Sequence, residues 1–500
     1  MKQDVIAVLD IGKTNKKTAL FDFDLNAVSI EKKPFGEIPK GELMCEQPEA
    51  VYEWFMERLK AKSEKYNVKA ISITTHGVTM AAVDETGLIA APVLSYTNEP
   101  ADDFEADFYS ELGSVNELQA KTATPRVGAM INSAKLVYYT KRRFPKKFAG
   151  AKHLLFYPQY FVYKLTGSAC MEPTMLGCHS YLYEPYKGEL SDVAEKMGIK
   201  ELLPEKISCS WERAGKIRPE LAAKYGISAD CIVTMGVHDS NSSLLPYIIE
   251  RGGGFVLNST GTWCVAMRPA SEVRFAEDEI GKLVFYNFDV FKNPVKTSIF
   301  MGGMEFEAYG KILDKICGKQ PPAADFDGAL YMQIITDADK FIMPSIAVGT
   351  GLFPHQKARV IEGKKTTDYE DILAGKPAPD FFYDRQVAEA VLNISLAIQS
   401  SIAIEHTGYK TGDDIFVEGG FQNNPPYLRL LKGLYPESHL YTSGMAEATS
   451  TGAAILALAA LNGTTPAELA GKVSIHCEAI EGDCPAEIAG YKDKFLEHLR

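Results

Sequence analysis

Two aspartates, Asp10 and Asp239, each close an apolar run, and each stands where a reaction could use a carboxylate. Around the first, Val8-Leu9-Asp10-Ile11 reads as a buried strand, Gly12-Lys13-Thr14-Asn15 as a tight turn, and Thr18 to Phe21 as the returning strand. The tip of such a hairpin suits an anion. Gly12 lets a phosphate approach the backbone, the Thr14 and Asn15 side chains and successive N–H groups donate to its oxygens, and Lys13, Lys16 and Lys17 bring positive charge. Asp10 is placed to hold Mg²⁺ directly or through water. Gly12-Lys13-Thr14 also matches the end of a P-loop. That motif needs a glycine where the chain has Ala7, and a helix after the threonine, so it is rejected. An ordinary polar turn that binds nothing remains the alternative for this stretch taken alone.

The second carboxylate lies in Cys231-Ile232-Val233-Thr234-Met235-Gly236-Val237-His238-Asp239-Ser240, read as a strand, a turn at His238-Asp239, and a helix capped by Asp239 or Ser240. Asp239 has two readings. It is a helix N-cap, or a carboxylate beyond a strand end that accepts the proton of an attacking hydroxyl. The helix N-terminus is expected to lower its pKa and weaken it as a base. That objection is mild for phosphoryl transfer, where positioning counts for more than basicity. A further strand, Val68 to Ile73, runs into Thr74-Thr75-His76-Gly77, and polar residues beyond such a strand end suit a ligand. Thr75, His76 and Gly77 are therefore candidates to meet a substrate hydroxyl, with a structural role in a turn as the alternative for His76. Asn98 and Glu99 are weaker candidates.

Positioning these groups requires an alternating α/β chain. An amphipathic helix is expected over Pro48–Tyr66, and strands over Val78–Val83 and Leu88–Leu94. Residues 102–167 read as mostly helical, with Lys141-Arg142-Arg143 a solvated face. Gly252-Gly253-Gly254 marks a joint. Beyond it Phe255–Met267 repeats the opening design, a strand, the polar turn Ser259-Thr260-Gly261-Thr262, and a returning strand. Two such turns suggest two similar domains facing each other across a cleft with a triphosphate between them, two unrelated hairpins being the alternative. The segment 349–355 is a loop punctuated by Gly and Pro. The stripe Val387, Val391, Ile394, Ile398 and Ile402 is core. Asp414 to Glu418 is a strand running into Gly419-Gly420. Those glycines let a purine lie flat on the backbone, and Asn423 and Asn424 can cap the next helix or bond a ring edge. Glu447–Ala457 is a small-residue helix suited to close packing.

At 500 residues the chain exceeds one core and implies two large or three smaller domains. Its 46% hydrophobic and 24% charged fractions are those of a globular protein. A net charge of −12 argues against non-specific nucleic-acid binding and points to small-molecule partners. The nine cysteines are scattered and odd in number, which argues against a disulfide framework. No uninterrupted apolar stretch reaches the length of a membrane span, and Asp4, Asp10 and Lys13 break any secretory core after Met1. A cytoplasmic location without a membrane partner is expected.

In order along the chain, these motifs resemble those of the FGGY carbohydrate kinases, within the sugar kinase, heat-shock ATPase and actin superfamily. The resemblance implies an α/β fold of two ribonuclease-H-like, actin-like ATPase domains around a central cleft. Residues 1–245 would bind the sugar and carry the base, and residues 246–500 would bind nucleotide. It implies ATP and Mg²⁺, with Asp10, Gly12, Thr14 and Asn15, and by charge Lys13 and Lys17, at the first phosphate loop. Ser259 to Thr262 would form the second loop, and Gly419, Gly420 and Asn423 or Asn424 the adenosine pocket. Thr75-His76-Gly77 and Asn98 would face the sugar beside His238, and Asp239 would be the catalytic base. The implied activity is phosphorylation of a ketose or deoxyketose of the xylulose, rhamnulose or fuculose kind, with a homodimer as the implied assembly. A kinase of another polyol such as glycerol or erythritol, and a nucleotide switch or inactive sensor, are the alternatives. Lys13 in place of a small residue after Gly12, and Thr97-Asn98-Glu99-Pro100 without an Asp and Arg, depart from the family's pattern.

Overall fold

The computed structural model describes the chain except residues 1, 102, 129, 278, 322–324, 348–350, 446 and 483. Gly349 and Thr350 of the expected loop therefore lie outside the described residues.

Two sheets of one design carry the molecule. In the first, Gln3–Ile11, Asn15–Phe21 and Ala27–Pro34 form an antiparallel meander, and Tyr66–Thr75 then Ile232–Thr234 add in parallel on the other side of Gln3–Ile11. In the second, Phe255–Thr260, Cys264–Pro269 and Pro294–Phe300 form the meander, and Asp414–Gly419 then Leu440–Ser443 add in parallel. Unbroken apolar runs make this possible, because a strand with parallel neighbours is covered on both faces. Val5 to Leu9 are fully buried. Register brings the chemistry to one edge. Asp10 pairs with Lys17 on one side and Thr74 on the other, Val237 with Thr74, and His238 with Thr75.

The helix Arg385–His406 is long and apolar enough to cross a membrane by length and composition, but 94% of its apolar window is buried inside the second domain. The first helix ends at Lys62, not Tyr66, which opens the next strand. Leu88–Leu94 makes only isolated bridges, Val83 with Ile89 and Cys45 with Leu94, so the strand expected there is absent.

The expected boundary between residues 245 and 246 falls inside a helix, Asp239–Arg251. The chain turns after it, with positive φ at Gly252 and Gly254. The halves also exchange an element. Helix Ala448–Asn462 from the second half covers the first sheet, its Ala453 to Ala460 packing on Ile6, Val8, Ala19 and Ala70. It meets the Asp239 helix so closely that a Cβ on Gly452 would lie 1.8 Å from the Ser242 carbonyl oxygen.

Candidate active site

Asp239 is the first residue of its helix rather than the expected cap. The capping position belongs to His238, whose own side chain makes no capping hydrogen bond. The Ser240 N–H donates to Asp239 Oδ1 at 2.7 Å, and His238 Nε2 lies 3.2 Å from the same oxygen. The Asn241 amide donates to His238 Nδ1 at 3.1 Å, which leaves the imidazole proton on Nε2, facing the carboxylate. Burial pushes the His238 pKa down to about 3, helped by His179 and His76, so the ring is a neutral donor. Behind it, the His238 N–H donates to Thr174 Oγ1 at 2.9 Å, and Thr174 in turn donates to the buried carboxylate of Glu172 at 2.8 Å.

The helix terminus does not lower the Asp239 pKa as expected. Desolvation, reinforced by the charge of Asp10, pushes it up to about 7, outweighing the hydrogen bonds from Ser240. With its side chain 29% exposed, the carboxylate is reachable and poised to take a proton at neutral pH.

Asp10 is buried. Its Oδ2 accepts from Ser450 Oγ at 2.8 Å and from Lys17 Nζ at 3.1 Å, and Lys17 also pairs with Glu447. Both contacts fall on one oxygen, which leaves Oδ1 for a cation. Among the described residues no group of three or more His, Cys, Asp or Glu could hold a metal ion. That donor set fits Mg²⁺ held by one carboxylate, water and phosphate rather than by a protein cage. Thr14 and Asn15 are exposed at the hairpin tip. Lys16 is buried and donates to the Gly12 and Lys13 carbonyls at 2.9 and 2.8 Å, so it staples the turn. Lys13 departs from the expectation of nucleotide charge. Its ammonium pairs with Glu37 and Glu46, each at 2.5 Å.

On the sugar side, two expectations are corrected. The Thr75 hydroxyl is fully buried and bonds the His76 carbonyl at 2.8 Å. The Asn98 amide is consumed by the Met44 N–H and carbonyl, both at 2.8 Å, and the Ser95 carbonyl at 2.6 Å. Neither side chain is turned to a ligand. Gly77 is needed for close approach, since a Cβ there would lie 3.1 Å from Cys178 Sγ and 3.2 Å from His238 Nε2. His76 donates through Nδ1 to the Gly77 carbonyl at 3.1 Å, and its Nε2 is a buried acceptor with no partner. Burial holds its pKa down near 4, so it stays neutral.

In the second domain a cavity of about 360 Å³ is lined by Thr260, Gly261, Thr262, Phe306, Gly420 and Asn423, among others. Backbone crowding builds it. A Cβ on Gly419, which has φ 80°, would lie 1.9 Å from the Thr260 carbonyl oxygen, and one on Gly303 would lie 2.0 Å from that of Gly261. The Thr260 hydroxyl is spent on this turn, donating to the Glu418 carbonyl and accepting from the Phe421 N–H at 2.9 Å. Asn424 is spent as well, capping the next helix through the Tyr427 N–H and donating to Asn393 at 2.8 Å. Ser259 sits half-buried in the strand before the turn, while Gly261, Thr262 and Asn423 are exposed toward a ligand. Gly303, Phe306, Ser450 and Glu46 were not expected from the sequence. The pair Gly302-Gly303 after a strand ending at Phe300 was a readable signal, whereas an isolated Glu46 offers none.

Two sheets of one design, each with a polar hairpin turn, are the architecture of the actin-like ATPase fold. Residues 5–246 match the N-terminal domain of the FGGY family of carbohydrate kinases, and residues 252–466 match the carbohydrate kinase FGGY C-terminal domain. The chain belongs to that family. It is 24% identical over 328 residues to L-fuculokinase of Escherichia coli, a match covering 62% of this chain and 65% of that protein's length. Rhamnulokinase of Halalkalibacterium halodurans is 24% identical over 257 residues, covering 51% of this chain and 52% of that one. Among solved structures, a carbohydrate kinase from Novosphingobium aromaticivorans superposes with TM-score 0.78 at 25% identity, covering 100% of this chain and 99% of that one. Xylulose kinase from Lactobacillus acidophilus shares the fold, with TM-score 0.77 at 16% identity over 99% and 97% of the two chains.

Proposed function

We propose that this chain transfers the γ-phosphoryl group of ATP to a hydroxyl of an uncharged sugar, a ketose or deoxyketose of the fuculose, rhamnulose or xylulose kind. One observation carries the reading: a carboxyl group with its pKa raised to about 7, reachable from solvent and held through Oδ1 by a neutral histidine and a backbone N–H. A nucleotide switch has no use for such a base facing a second small ligand.

In this mechanism Asp239 accepts the hydroxyl proton through Oδ2, which neither Ser240 nor His238 engages. His238 keeps the carboxylate aimed, and its own neutrality leaves Asp239 free to take the proton. The backbone and the exposed Thr14 and Asn15 of the first hairpin would grip phosphate oxygens together with Lys17, while Gly420, Phe306 and Asn423 would seat the adenosine. Asp10 would hold Mg²⁺, whose role is to neutralise charge on the transferring phosphoryl group. The names of the relatives support a deoxyketose or ketose.

The test is ADP release with Mg·ATP over a panel of 6-deoxyketoses, pentuloses, hexuloses, polyols and sugar acids. Strong stimulation by one neutral ketose supports the reading. Stimulation by a polyol or an acid alone would replace the substrate class, and none by any sugar, with ATP bound, would replace the kinase by a switch.

A further inference from the structure

Lys13 sits at the tip of the first hairpin, where a lysine would ordinarily be assigned to phosphate, yet its side chain is committed elsewhere. An ammonium has three N–H donors. Three oxygens meet this one, Glu46 Oε1 and Glu37 Oε1 each at 2.5 Å and Ser95 Oγ at 2.7 Å, and the Tyr96 ring lies 4.3 Å from it. The Ser95 and Thr97 hydroxyls donate to the two Glu37 oxygens at 2.6 and 2.7 Å, so the loop carrying Glu37 and Glu46 and the loop carrying Ser95 to Thr97 converge on one cation.

That cluster borders the unpartnered acceptor already described. His76 Nε2 lies 3.9 Å from the Glu46 oxygen that Lys13 binds, and the His76 ring packs against Tyr96 and Tyr157 at 5.6 and 5.3 Å. The Glu46 side chain is 2% exposed. To reach phosphate, Lys13 would have to leave two adjacent carboxylates, one of them almost dry, without a directly paired cation and with only the charge of Lys16 nearby, and that penalty exceeds what a surface phosphate contact returns. With Lys13 in place, the carboxylates are neutralised in part, the Tyr96 ring lies against the ammonium, and the buried His76 Nε2 is left as an acceptor without a donor, which a sugar hydroxyl would supply.

We infer that Lys13 is a positioning residue for the sugar, holding Glu46, Glu37 and Tyr96 in place around His76, and not a phosphate ligand. The inference rests on the kinase reading above and deepens it: the wall it describes suits a neutral hydroxylated ligand.

The experiment compares wild type, Lys13→Met and Lys13→Arg in two measurements. One is the Kd for Mg·ADP by calorimetry, which needs no turnover; the other is KM for sugar and for ATP. Expected for Lys13→Met is a sugar KM raised about tenfold or more, with the Mg·ADP Kd and the ATP KM within about twofold of wild type, and partial rescue by Lys13→Arg. An Mg·ADP Kd weakened about tenfold with an unchanged sugar KM would overturn the assignment in favour of phosphate. No change in either constant would also overturn it. Should Lys13→Met not fold, Lys13→Met combined with Glu46→Gln, which removes the more buried of the two bared charges, is read in the same way. Wild type that no sugar stimulates would refute the kinase reading, whereas the Mg·ADP titration judges Lys13 separately.

Discussion

Asp239 shows how environment decides what a residue does. Its sequence position at a helix start favours the charged form by some tenths of a kcal/mol to about 1 kcal/mol. Desolvation and the facing charge of Asp10 act in the opposite sense and win, lifting its pKa from the ordinary 3.8 to about 7. In the proposed mechanism the charged form is the working base, so kcat/KM should fall about tenfold per pH unit below about 7. Asp239→Asn should lose about 10²–10⁴ in kcat together with that acid limb. A variant keeping both the rate and the limb would remove Asp239 from the mechanism. The same shift has a stability consequence of opposite sign. Between pH 4 and 7 the folded protein holds this proton and the unfolded chain does not, so charging Asp239 costs stability as pH rises through that window. Asp239→Asn is thus expected to melt above wild type at pH 8, with the advantage fading toward pH 4. A lower Tm at pH 8 would show that the carboxylate's contacts outweigh its burial.

At the scale of elements, the Asp239 helix is placed by contact with Ala448–Asn462. They approach closely at Gly452, and the Ser242 hydroxyl donates to the Thr449 carbonyl at 2.7 Å. Gly452→Ala would push a methyl into a carbonyl oxygen and force the helices apart, an overpacking cost of about 1–3 kcal/mol. Because Ser450 of the same helix bonds Asp10, both Tm and kcat should drop, and the calorimetric unfolding temperature with a rate assay would read both. An unchanged kcat would mean the helix pair does not set the site. Both hairpins and the helix at 385–406 were legible, because continuous apolar runs and a period-3.6 stripe are local signals. The close backbone approach at Gly419 and the placing of Asp239 just beyond a strand end were legible too, since both leave marks in the sequence. The crossing of helix Ala448–Asn462 to the first sheet was not, because a helix of small residues suits any close neighbour and does not say which one it covers. Lys13, Thr75 and Asn98 were misjudged for one reason. Their partners come from distant loops, Glu37, Glu46 and Ser95 for Lys13, and Met44 for Asn98.

Over the whole molecule, the Asp239 helix touches both halves. Tyr247 on it donates to Glu418 at 2.5 Å, on the strand that leads into Gly419-Gly420, while its first turn faces His76 and the first sheet. Glu418 is buried, and breaking this contact would leave its carboxyl group without a partner inside the protein. The two halves should therefore turn about this helix rather than separate. Closure has a chemical purpose in the proposed reaction, since an open cleft would let water compete with the sugar for the γ-phosphoryl group. In the proposed reaction the sugar would contact the first half and the adenosine the second, so neither alone would draw the halves together, and both at once would. Small-angle X-ray scattering should show a smaller radius of gyration with a non-hydrolysable ATP analogue plus the sugar, and none with either alone. If the analogue alone produced the full contraction, water exclusion would not depend on the sugar, and the protein should then hydrolyse ATP appreciably without it.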